Sequence, residues 1–357
     1  MNKRFLIGTL LLSGAAWMAG TVEAQPTYVG SDECKRCHED HWNFHRVSGH
    51  PYKLHTAADA RTWAVPLPDG YDWDDIGWVI GGYRWKVRYM DTDGYIITSI
   101  DPPINTPGSN QYNIATGTWS DYHAGEVKQY DCGACHTTGY DPAGVNPNPG
   151  IVGTWEFEGI QCERCHGAGS DHVAAPSSVN ITVDDTAAAC GQCHVRGVTT
   201  EIPASGGFIR HHEQYNELLA SPHMERKCVD CHNPHKRAGL SITTQCVDCH
   251  TETKFKTLGK RHTDREVGCV DCHMPKATKS ATTHNTFTAD IRTHLFKITL
   301  DKNATMFNEL GTLANGEVTV DFACLGCHYA VYEEWNNKGK PQKALKWARK
   351  NAKKIHK

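Results

Sequence analysis

Cysteine and histidine recur in this sequence in one fixed pattern. Each of the sixteen Cys belongs to a Cys-x-x-Cys-His unit, and no Cys is left over. This spacing is typical of covalent haem c attachment. The eight units, numbered 1 to 8 along the chain, are Cys34–His38, Cys132–His136, Cys162–His166, Cys190–His194, Cys228–His232, Cys246–His250, Cys269–His273 and Cys324–His328.

In such a unit the two thiols add to the vinyl groups of one haem, and the adjacent His binds its iron as the proximal ligand. We therefore predict eight haem c groups. The predicted attachment residues are Cys34, Cys37, Cys132, Cys135, Cys162, Cys165, Cys190, Cys193, Cys228, Cys231, Cys246, Cys249, Cys269, Cys272, Cys324 and Cys327. The predicted proximal ligands are His38, His136, His166, His194, His232, His250, His273 and His328.

Other uses of paired cysteines account less well for this pattern. Four-Cys zinc or iron–sulfur sites do not require a His after the second Cys in every unit. A thioredoxin-type dithiol needs one pair in a βαβ context, whereas eight pairs are scattered here. Disulfides, which sixteen Cys in an oxidising compartment would ordinarily suggest, do not explain the fixed His.

The remaining His determine the sixth iron ligand. Of 22 His, fourteen lie outside the units, so all eight irons could carry two His ligands, which is typical of low-potential electron carriers. At least six of the fourteen must have another role, and a single spare His is by itself often an ordinary surface or core residue. The distal ligand candidates, chosen by their position beside the units, are His50, His123, His172, His212, His223, His235, His262 and His294.

The gaps between units predict the architecture. Ninety-three residues separate units 1 and 2, whereas the next five gaps hold 25, 23, 33, 13 and 18 residues and the last holds 50. Linkers this short leave room for one helix or loop between neighbouring haems. We expect an N-terminal haem with a Trp-rich β region over residues 25–126, a dense multihaem array over 127–330 and a basic C-terminal helix or tail over 331–357.

The first long gap favours β-structure. It carries six of the ten Trp, and alternation around Trp85, Val87 and Tyr89 precedes a Gly-containing turn and a β-branched run at 95–100. This pattern predicts a β-hairpin that covers the first haem. An aromatic docking surface is the alternative interpretation, although such stripes are usually core.

Composition supports a fold in which the cofactors supply the core. Hydrophobic residues make up only 39% of the chain, so we expect a mainly irregular multihaem cytochrome c fold with short α-helices, a small N-terminal β-hairpin region and a core of packed haems. A formal net charge of -3 argues against nucleic acid as a partner. No long apolar span follows the first twenty residues, which argues against a transmembrane helix.

Both ends of the chain carry charge signals. Residues 1–24 combine a basic start, an apolar stretch and small residues before Gln25, which predicts a signal peptide and export to the periplasm or the cell exterior. Residues 338–357 contain nine Lys or Arg and no acidic residue. They favour a basic amphipathic helix, which either balances haem propionates or docks an acidic redox partner.

Several segments resemble a known family. The stretch 28–31 before unit 1, Ser48-Gly49-His50 after it, and unit 3 with its continuation to His172 resemble the cytochrome c-554 type of multihaem cytochrome. The stretch 269–275 followed by His294 is similar to segments of multihaem nitrite reductases, octahaem oxidoreductases and outer-membrane electron conduits. The resemblance implies stacked haem pairs with two His ligands each. Eight units depart from the tetrahaem c-554 type, so it carries over only attachment and axial ligation.

Two functions remain as hypotheses. The first is an electron-transfer protein of anaerobic respiration, with redox protein partners and periplasmic or extracellular acceptors. A variant of it is a filament in which His41, His45, His211 or His212 binds a haem of the next subunit. The second is an octahaem oxidoreductase acting on nitrite, hydroxylamine or a sulfur oxyanion at one open haem. No Cys-x-x-Cys-Lys unit, typical of nitrite-reducing relatives, is present.

Overall fold

A computed structural model describes residues 25–251 and 260–355. The predicted signal peptide and His356 lie outside the described residues. No helix in the described ranges has the length and apolar character needed to cross a membrane.

The helices of this part of the chain are short, and α13 alone exceeds eight residues. Isolated helices of this length are marginal in water, so packing or cofactors must hold them. The stretch 214–220 forms α8, and the basic C-terminal stretch forms α13, with Pro341 in its first turn. The α-helices are α1 Ser31–Lys35, α2 Glu39–His45, α3 Ala57–Ala60, α4 Gly133–His136, α5 Cys162–His166, α6 Ser170–Ala174, α7 Ala187–Gly191, α8 Gln214–Ala220, α9 Cys246–Cys249, α10 Lys260–Thr263, α11 Cys269–His273, α12 Tyr329–Asn336 and α13 Pro341–Ala352.

Three further turns are helical but tighter or wider than an α-helix. Two are 3-10 turns, at Pro51–Lys53 and Cys228–Asp230, and one is a π-helical turn at Asp321–Leu325. The second and third of these contain attachment cysteines, so they belong to the cofactor framework described below.

The strands concentrate in the first long gap. They are β1 Leu54–Thr56, β2 Ile76–Gly81, β3 Lys86–Asp91, β4 Tyr95–Ile96, β5 Ser99–Ile100, β6 Thr106–Pro107, β7 Gln111–Asn113, β8 Thr118–Ser120, β9 Lys128–Gln129, β10 Thr137–Thr138, β11 Phe157–Glu158, β12 Ala204–Ser205, β13 Phe208–Arg210 and β14 Thr278–Lys279. Small sheets join β5 with β6, β10 with β11, and β12 with β13 and β14, of which the last two are parallel.

The sheet of the first gap is larger than the hairpin predicted there. Strands β3 and β4 are antiparallel neighbours with Met90 opposite Ile96, across a turn in which Gly94 has a φ of 86°. A positive φ is easily adopted by Gly, which explains its place in this turn. Seven strands form the sheet in the order β1-β2-β3-β4-β9, with β7 joining β3 to β8. The added strands β1, β7, β8 and β9 have two or three residues each, too few to show alternation in the sequence.

Apolar side chains cluster at two places. Around the sheet, Leu54, Val79, Val87, Tyr89 and Met90 are fully buried. A separate cluster joins the C-terminal helices to the segment 202–209 and includes Ile209, Leu295, Val318, Leu325 and Ala344.

The stretches that carry units 3 to 7 are different. Among the described residues, 161–201 and 219–274 contain no buried aliphatic or aromatic side chain. These segments therefore fold around something other than their own apolar residues. That observation agrees with a core formed by packed haems, which stays a prediction.

Candidate haem-binding site

Each attachment unit lies in or beside a single helical turn. In five units the backbone N–H of the His donates to the carbonyl of the first Cys, four residues earlier. The N–O distances are 2.9 Å for His38, 3.0 Å for His194, 2.9 Å for His232, 2.8 Å for His250 and 2.9 Å for His328. Residues three and four apart share one face of a helix, so both thiols and the imidazole point to the same side. This is the arrangement that one haem requires.

One cavity connects the units. It has a volume of about 2670 Å³ and is lined by at least one Cys of every unit. The proximal candidates on its wall are His38, His136, His166, His194, His232, His250 and His273. A single shared cavity, rather than eight separate pockets, suits cofactors that contact one another.

Imidazole spacing tests whether an iron fits between the His. A metal–imidazole nitrogen bond is about 2.0 Å long, and the nitrogen lies about 1.1 Å from the ring centre, so two opposite ligands have centroids roughly 6.2 Å apart. Six proximal candidates have a spare imidazole near this distance. The pairs are His38–His172 at 6.3 Å, His166–His235 at 6.2 Å, His194–His212 at 6.2 Å, His232–His294 at 6.2 Å, His250–His223 at 5.8 Å and His328–His262 at 6.1 Å.

Two proximal candidates have a second imidazole at a similar distance. His50 lies 6.5 Å from His194, and His41 lies 6.2 Å from His38. His41 is three residues from His38 and stacks on His235 at 4.5 Å. The structure thus leaves two possible partners for unit 4 and favours His172 for unit 1, because His41 shares the chain segment of His38.

The second ring nitrogen of several His is fixed by a backbone carbonyl. The Nδ1 of His166 lies 2.7 Å from the Thr182 carbonyl oxygen, and that of His273 lies 2.8 Å from the Phe296 oxygen. His172 makes the same contact with Ser177 at 3.0 Å. An Nδ1–H that donates to a carbonyl leaves Nε2 unprotonated, which is the state that binds a metal. This orientation is the one that an axial ligand requires, and the ligation itself stays a prediction.

Comparison with known proteins identifies one matching family model and several solved structures of similar fold. A family model described as cytochrome c554 and c-prime matches residues 109–167, which include units 2 and 3. The solved structure of the outer cell wall cytochrome OcwA is 19% identical, covers 87% of both chains and superposes with a TM-score of 0.58. The octaheme sulfite reductase MccA of Wolinella succinogenes is 17% identical with a TM-score of 0.58, over 85% of this chain and 66% of its own. No curated protein sequence matches the chain significantly.

This chain has the fold of a multihaem c-type cytochrome. Haem c is the cofactor that the fold and the family model imply, and the helical turns, the shared cavity and the imidazole spacing fit it. Bound there, it supplies reversible one-electron chemistry at iron.

Unit 2 of the cytochrome differs from the six paired units. Among the described residues, His136 makes no ring contact with another imidazole; its ring neighbour is Tyr130, with the two centroids 6.4 Å apart. Four basic side chains lie within electrostatic range of His136 and line the same cavity. They are Lys53, Lys86, Arg88 and Arg196.

Burial and neighbouring positive charges lower the pKa of several groups around unit 2. Burial, reinforced by these four cations, lowers the pKa of His136 to about 3. The same two causes lower the pKa of His211 to about 2. Burial also lowers the pKa of Lys53 and Lys86, and it lowers that of Arg88 to about 10. Both imidazoles are neutral at pH 7, whereas Arg88 stays charged.

Three other spare His, at positions 45, 123 and 284, have different surroundings. His123 lies on the surface of the sheet, outside the cavity wall, where its Nδ1 is 2.7 Å from a Glu126 carboxylate oxygen, so its proposed ligand role has no proximal partner nearby. His284 is exposed. His45 is buried, and the centroid of its ring lies 6.3 Å from that of His50. The other seven distal candidates each lie near a proximal candidate, and their ligation stays a prediction.

Sequence reasoning missed the cations around His136. Lys86 and Arg88 alternate along β3 with the buried Val87 and Tyr89. The sequence signal for them was a pair of basic residues at alternate positions, on one face of a strand whose other face is buried. Lys53 and Arg196 lie in loops or turns and carry no such pattern.

Proposed function

We propose that this cytochrome is an electron-transfer protein with eight haem c groups, most or all of them held by two His. In this proposal it relays electrons in anaerobic respiration to periplasmic or extracellular acceptors through redox protein partners. The observation that carries it is the set of six proximal His, each with a second imidazole close to the spacing that one iron requires. Ligation by two His keeps the iron six-coordinate and favours electron transfer over substrate binding.

Contacts between attachment cysteines support a continuous route. Attachment cysteines of different units lie close to each other at Cys34–Cys162, Cys190–Cys228 and Cys246–Cys269, which join units 1 with 3, 4 with 5, and 6 with 7. Cys165 lies within electrostatic range of Cys190, Cys231 of Cys249, and Cys272 of Cys324. Taken together, the contacts order the units as 1-3-4-5-6-7-8.

Unit 2 stands beside this route. Its Cys135 lies close to Cys193 of unit 4, and Arg164 of unit 3 donates to both the Ala134 carbonyl and the Cys193 sulfur. A side branch from unit 4 can exchange electrons with the main route without interrupting it. The linear order and the branch together suit a carrier with one distinct haem.

Location and assembly are part of the same proposal. The predicted signal peptide, and the likeness in fold to a cytochrome named for the outer cell wall, support export. Self-association into filaments requires a His that reaches a neighbouring copy. Of the four His considered for it, His45 is buried, His211 and His212 are partly buried in the cavity wall, and His41 is exposed.

In the part of the chain that the structure describes, His136 has no ring contact with another imidazole, and this favours a second candidate function. In it, one open haem at unit 2 makes the protein an oxidoreductase for nitrite, hydroxylamine or a sulfur oxyanion. The relay of the other haems would then deliver electrons to that iron. MccA, similar in fold, is described as an octaheme sulfite reductase, which supports keeping this candidate.

Electron paramagnetic resonance at low temperature, combined with resonance Raman, separates the two candidates. Intact-protein mass first establishes that eight haems are attached. If all ferric haems are six-coordinate and low-spin, the carrier function stands and the second candidate fails. One stoichiometric high-spin haem that disappears in a Cys132→Ser, Cys135→Ser double variant supports the second candidate and contradicts a purely bis-His carrier.

A further inference from the structure

Helix α13 packs one of its faces against unit 8. Its Ala344 and Ala348 are fully buried in the C-terminal apolar cluster, and Cys324 of unit 8 packs against the same cluster. The ring of Trp347 meets the proximal candidate His328, with the two centroids 5.2 Å apart and the ring planes 65° apart. The helix is therefore held directly beside the position where unit 8 would carry its haem.

The opposite face of α13 carries exposed lysines. Lys343, Lys346 and Lys350 follow one another at intervals of three and four residues, which places them on one side of the helix. Lys353 and Lys354 continue the same spacing just beyond its last turn. These five residues form the lysine face, and within the described ranges none of them takes part in an ion pair.

The surroundings of the lysine face do not balance its charge. Residues 329–355, which include α12 and α13, contain eight Lys or Arg and two acidic residues. One of the two, Glu334, is already paired with Lys338 at 2.8 Å. Arg349 donates to the Lys302 carbonyl at 3.2 Å, and the neighbouring segment there contributes Asp301 and Lys302, whose charges cancel. Positive charge thus stays in excess on this surface.

Haem propionates lie on the wrong side of the helix to balance the lysine face. The wall of the haem cavity includes Ala352 and Ile355 of this segment and, in the part of the chain that the structure describes, none of its lysines. Those two residues share the helix side of the buried Ala344 and Ala348. The cofactor side of α13 is therefore apolar, and its basic side faces solvent.

We propose that the lysine face of α13 binds an acidic redox protein that exchanges electrons with the haem of unit 8. The inference rests on the proposed electron-transfer function and names the chemistry of one partner. Opposite charges speed the encounter and orient the partner. The contact of Trp347 with His328 places that partner close to an iron. Twelve helical residues are about 18 Å long, which suits the small interface of a transient redox encounter.

Reduction by a flavodoxin, a small acidic flavin protein, tests the lysine face in the full-length, haem-loaded protein. The anionic hydroquinone of the flavin gives up one electron and becomes the neutral semiquinone, while one ferric haem becomes ferrous. We expect Lys346→Glu and Lys350→Glu, made separately, each to lower the second-order rate constant about threefold to tenfold at low ionic strength. Lys128→Glu, the same charge change on strand β9, is the matched control and should stay within about twofold of the unaltered protein.

A neutral reductant separates partner binding from damage to the haem. Deazariboflavin semiquinone carries no charge, so its reaction rates should agree within about twofold among all variants. If both reductants react more slowly with the α13 variants, the substitutions disturb unit 8 and the inference is overturned. It is overturned as well if flavodoxin reduces every variant at the same rate.

Two other roles of the lysine face would give different results. If the lysines balance haem propionates, Lys346→Glu shifts a midpoint potential in spectroelectrochemistry and leaves the flavodoxin rate unchanged. If they bind an anionic lipid surface, the unaltered protein sediments with phosphatidylglycerol vesicles, the α13 variants do not, and the flavodoxin rates are again equal. Either result overturns the inference.

The neutral reductant also distinguishes failure of the inference from failure of the function beneath it. If it reduces only a few haems of the unaltered protein, the electron-transfer function fails and this inference fails with it. If it reduces all the haems while the flavodoxin rate is independent of charge on α13, the lysine face alone is removed and the function stands.

Discussion

Two regions of the molecule are held together in different ways. The sheet region, residues 54–130, has a core of fully buried side chains such as Leu54, Val79 and Tyr89. The array region, residues 161–274, carries five attachment units, and its described residues include buried aliphatic or aromatic side chains only between 202 and 218. Its helices have four to seven residues, too short to be stable alone.

The difference shows where the free energy of folding originates. In the sheet region, apolar burial contributes about 25 cal/mol for each Å² removed from water, as in an ordinary domain. The array region lacks that source, and covalently attached haems are the remaining apolar partners for its chain. The sheet region should therefore tolerate loss of the cofactors, and the array region should not.

Removing the cofactors should produce the largest effect. When the chain is produced without haem attachment, we expect residues 161–201 and 219–274 to lose hydrogen-exchange protection almost completely. Strands β2 and β3 should keep most of theirs, because one of the two apolar clusters that they contribute to contains no attachment residue and the other includes only Cys132, which is partly buried. Hydrogen exchange with mass spectrometry on the apo and holo proteins measures both regions at once.

Equal protection of the two regions in the apo protein would contradict this account of the array. Equal loss would show instead that the sheet region depends on the cofactors as well. The holo protein, with intact mass confirming attachment, provides the control.

A core substitution in the sheet region should have the next largest effect. Leu54 is fully buried, so Leu54→Ala should lower the free energy of unfolding of that region by about 2–5 kcal/mol. Leu310→Ala is the matched control, because Leu310 is 83% exposed and its truncation should cost less than about 0.5 kcal/mol. Denaturation followed by hydrogen exchange in β1 and β2 gives both values, and a cost below about 1 kcal/mol at Leu54 would mean that cofactors stabilise the sheet too.

The same contrast explains what could be predicted from the sequence. Attachment residues could be predicted because the chemistry fixes three residues within five consecutive positions, and α8 could be predicted because 214–220 repeats apolar residues at helical spacing. The distal ligand candidates could be predicted in part. His172, His235 and His294 follow attachment units in the sequence, and their imidazoles lie near proximal candidates in the structure.

What could not be predicted depends on tertiary contacts. The strands of two or three residues exist because neighbours pair with them, and no local pattern encodes them. His123 was chosen for its position before unit 2, but the loop places it on the sheet surface beside Glu126. The four basic residues near His136 come from positions 53 to 196, and over such a separation the sequence spacing carries no information on contacts.

A buried carboxylate should tune one haem of the array. Glu217 accepts the His294 backbone N–H at 2.5 Å and the Thr278 hydroxyl at 3.0 Å, and its Oε2 lies 3.6 Å from His294 Nδ1. A negative charge beside an axial His stabilises the ferric state. We expect Glu217→Gln to raise the midpoint potential of one haem, measured by spectroelectrochemistry.

The exposed Glu309→Gln is the control for that change and should leave every potential where it was. A uniform shift of all haems in Glu217→Gln would indicate a global rearrangement, and no shift would remove Glu217 from the tuning of unit 5.

The smallest effect should come from a surface ion pair inside the array region. The Lys227 ammonium lies 2.8 Å from both carboxylate oxygens of Asp185, and both side chains are about half exposed, at 48% and 56%. Water and salt screen such a pair, so it cannot replace the apolar contacts that this region lacks. Lys227→Gln should therefore leave the denaturation midpoint of the holo protein unchanged within error, at low and high salt alike. A clear, salt-dependent drop would mean that polar contacts, rather than cofactors, hold this region together.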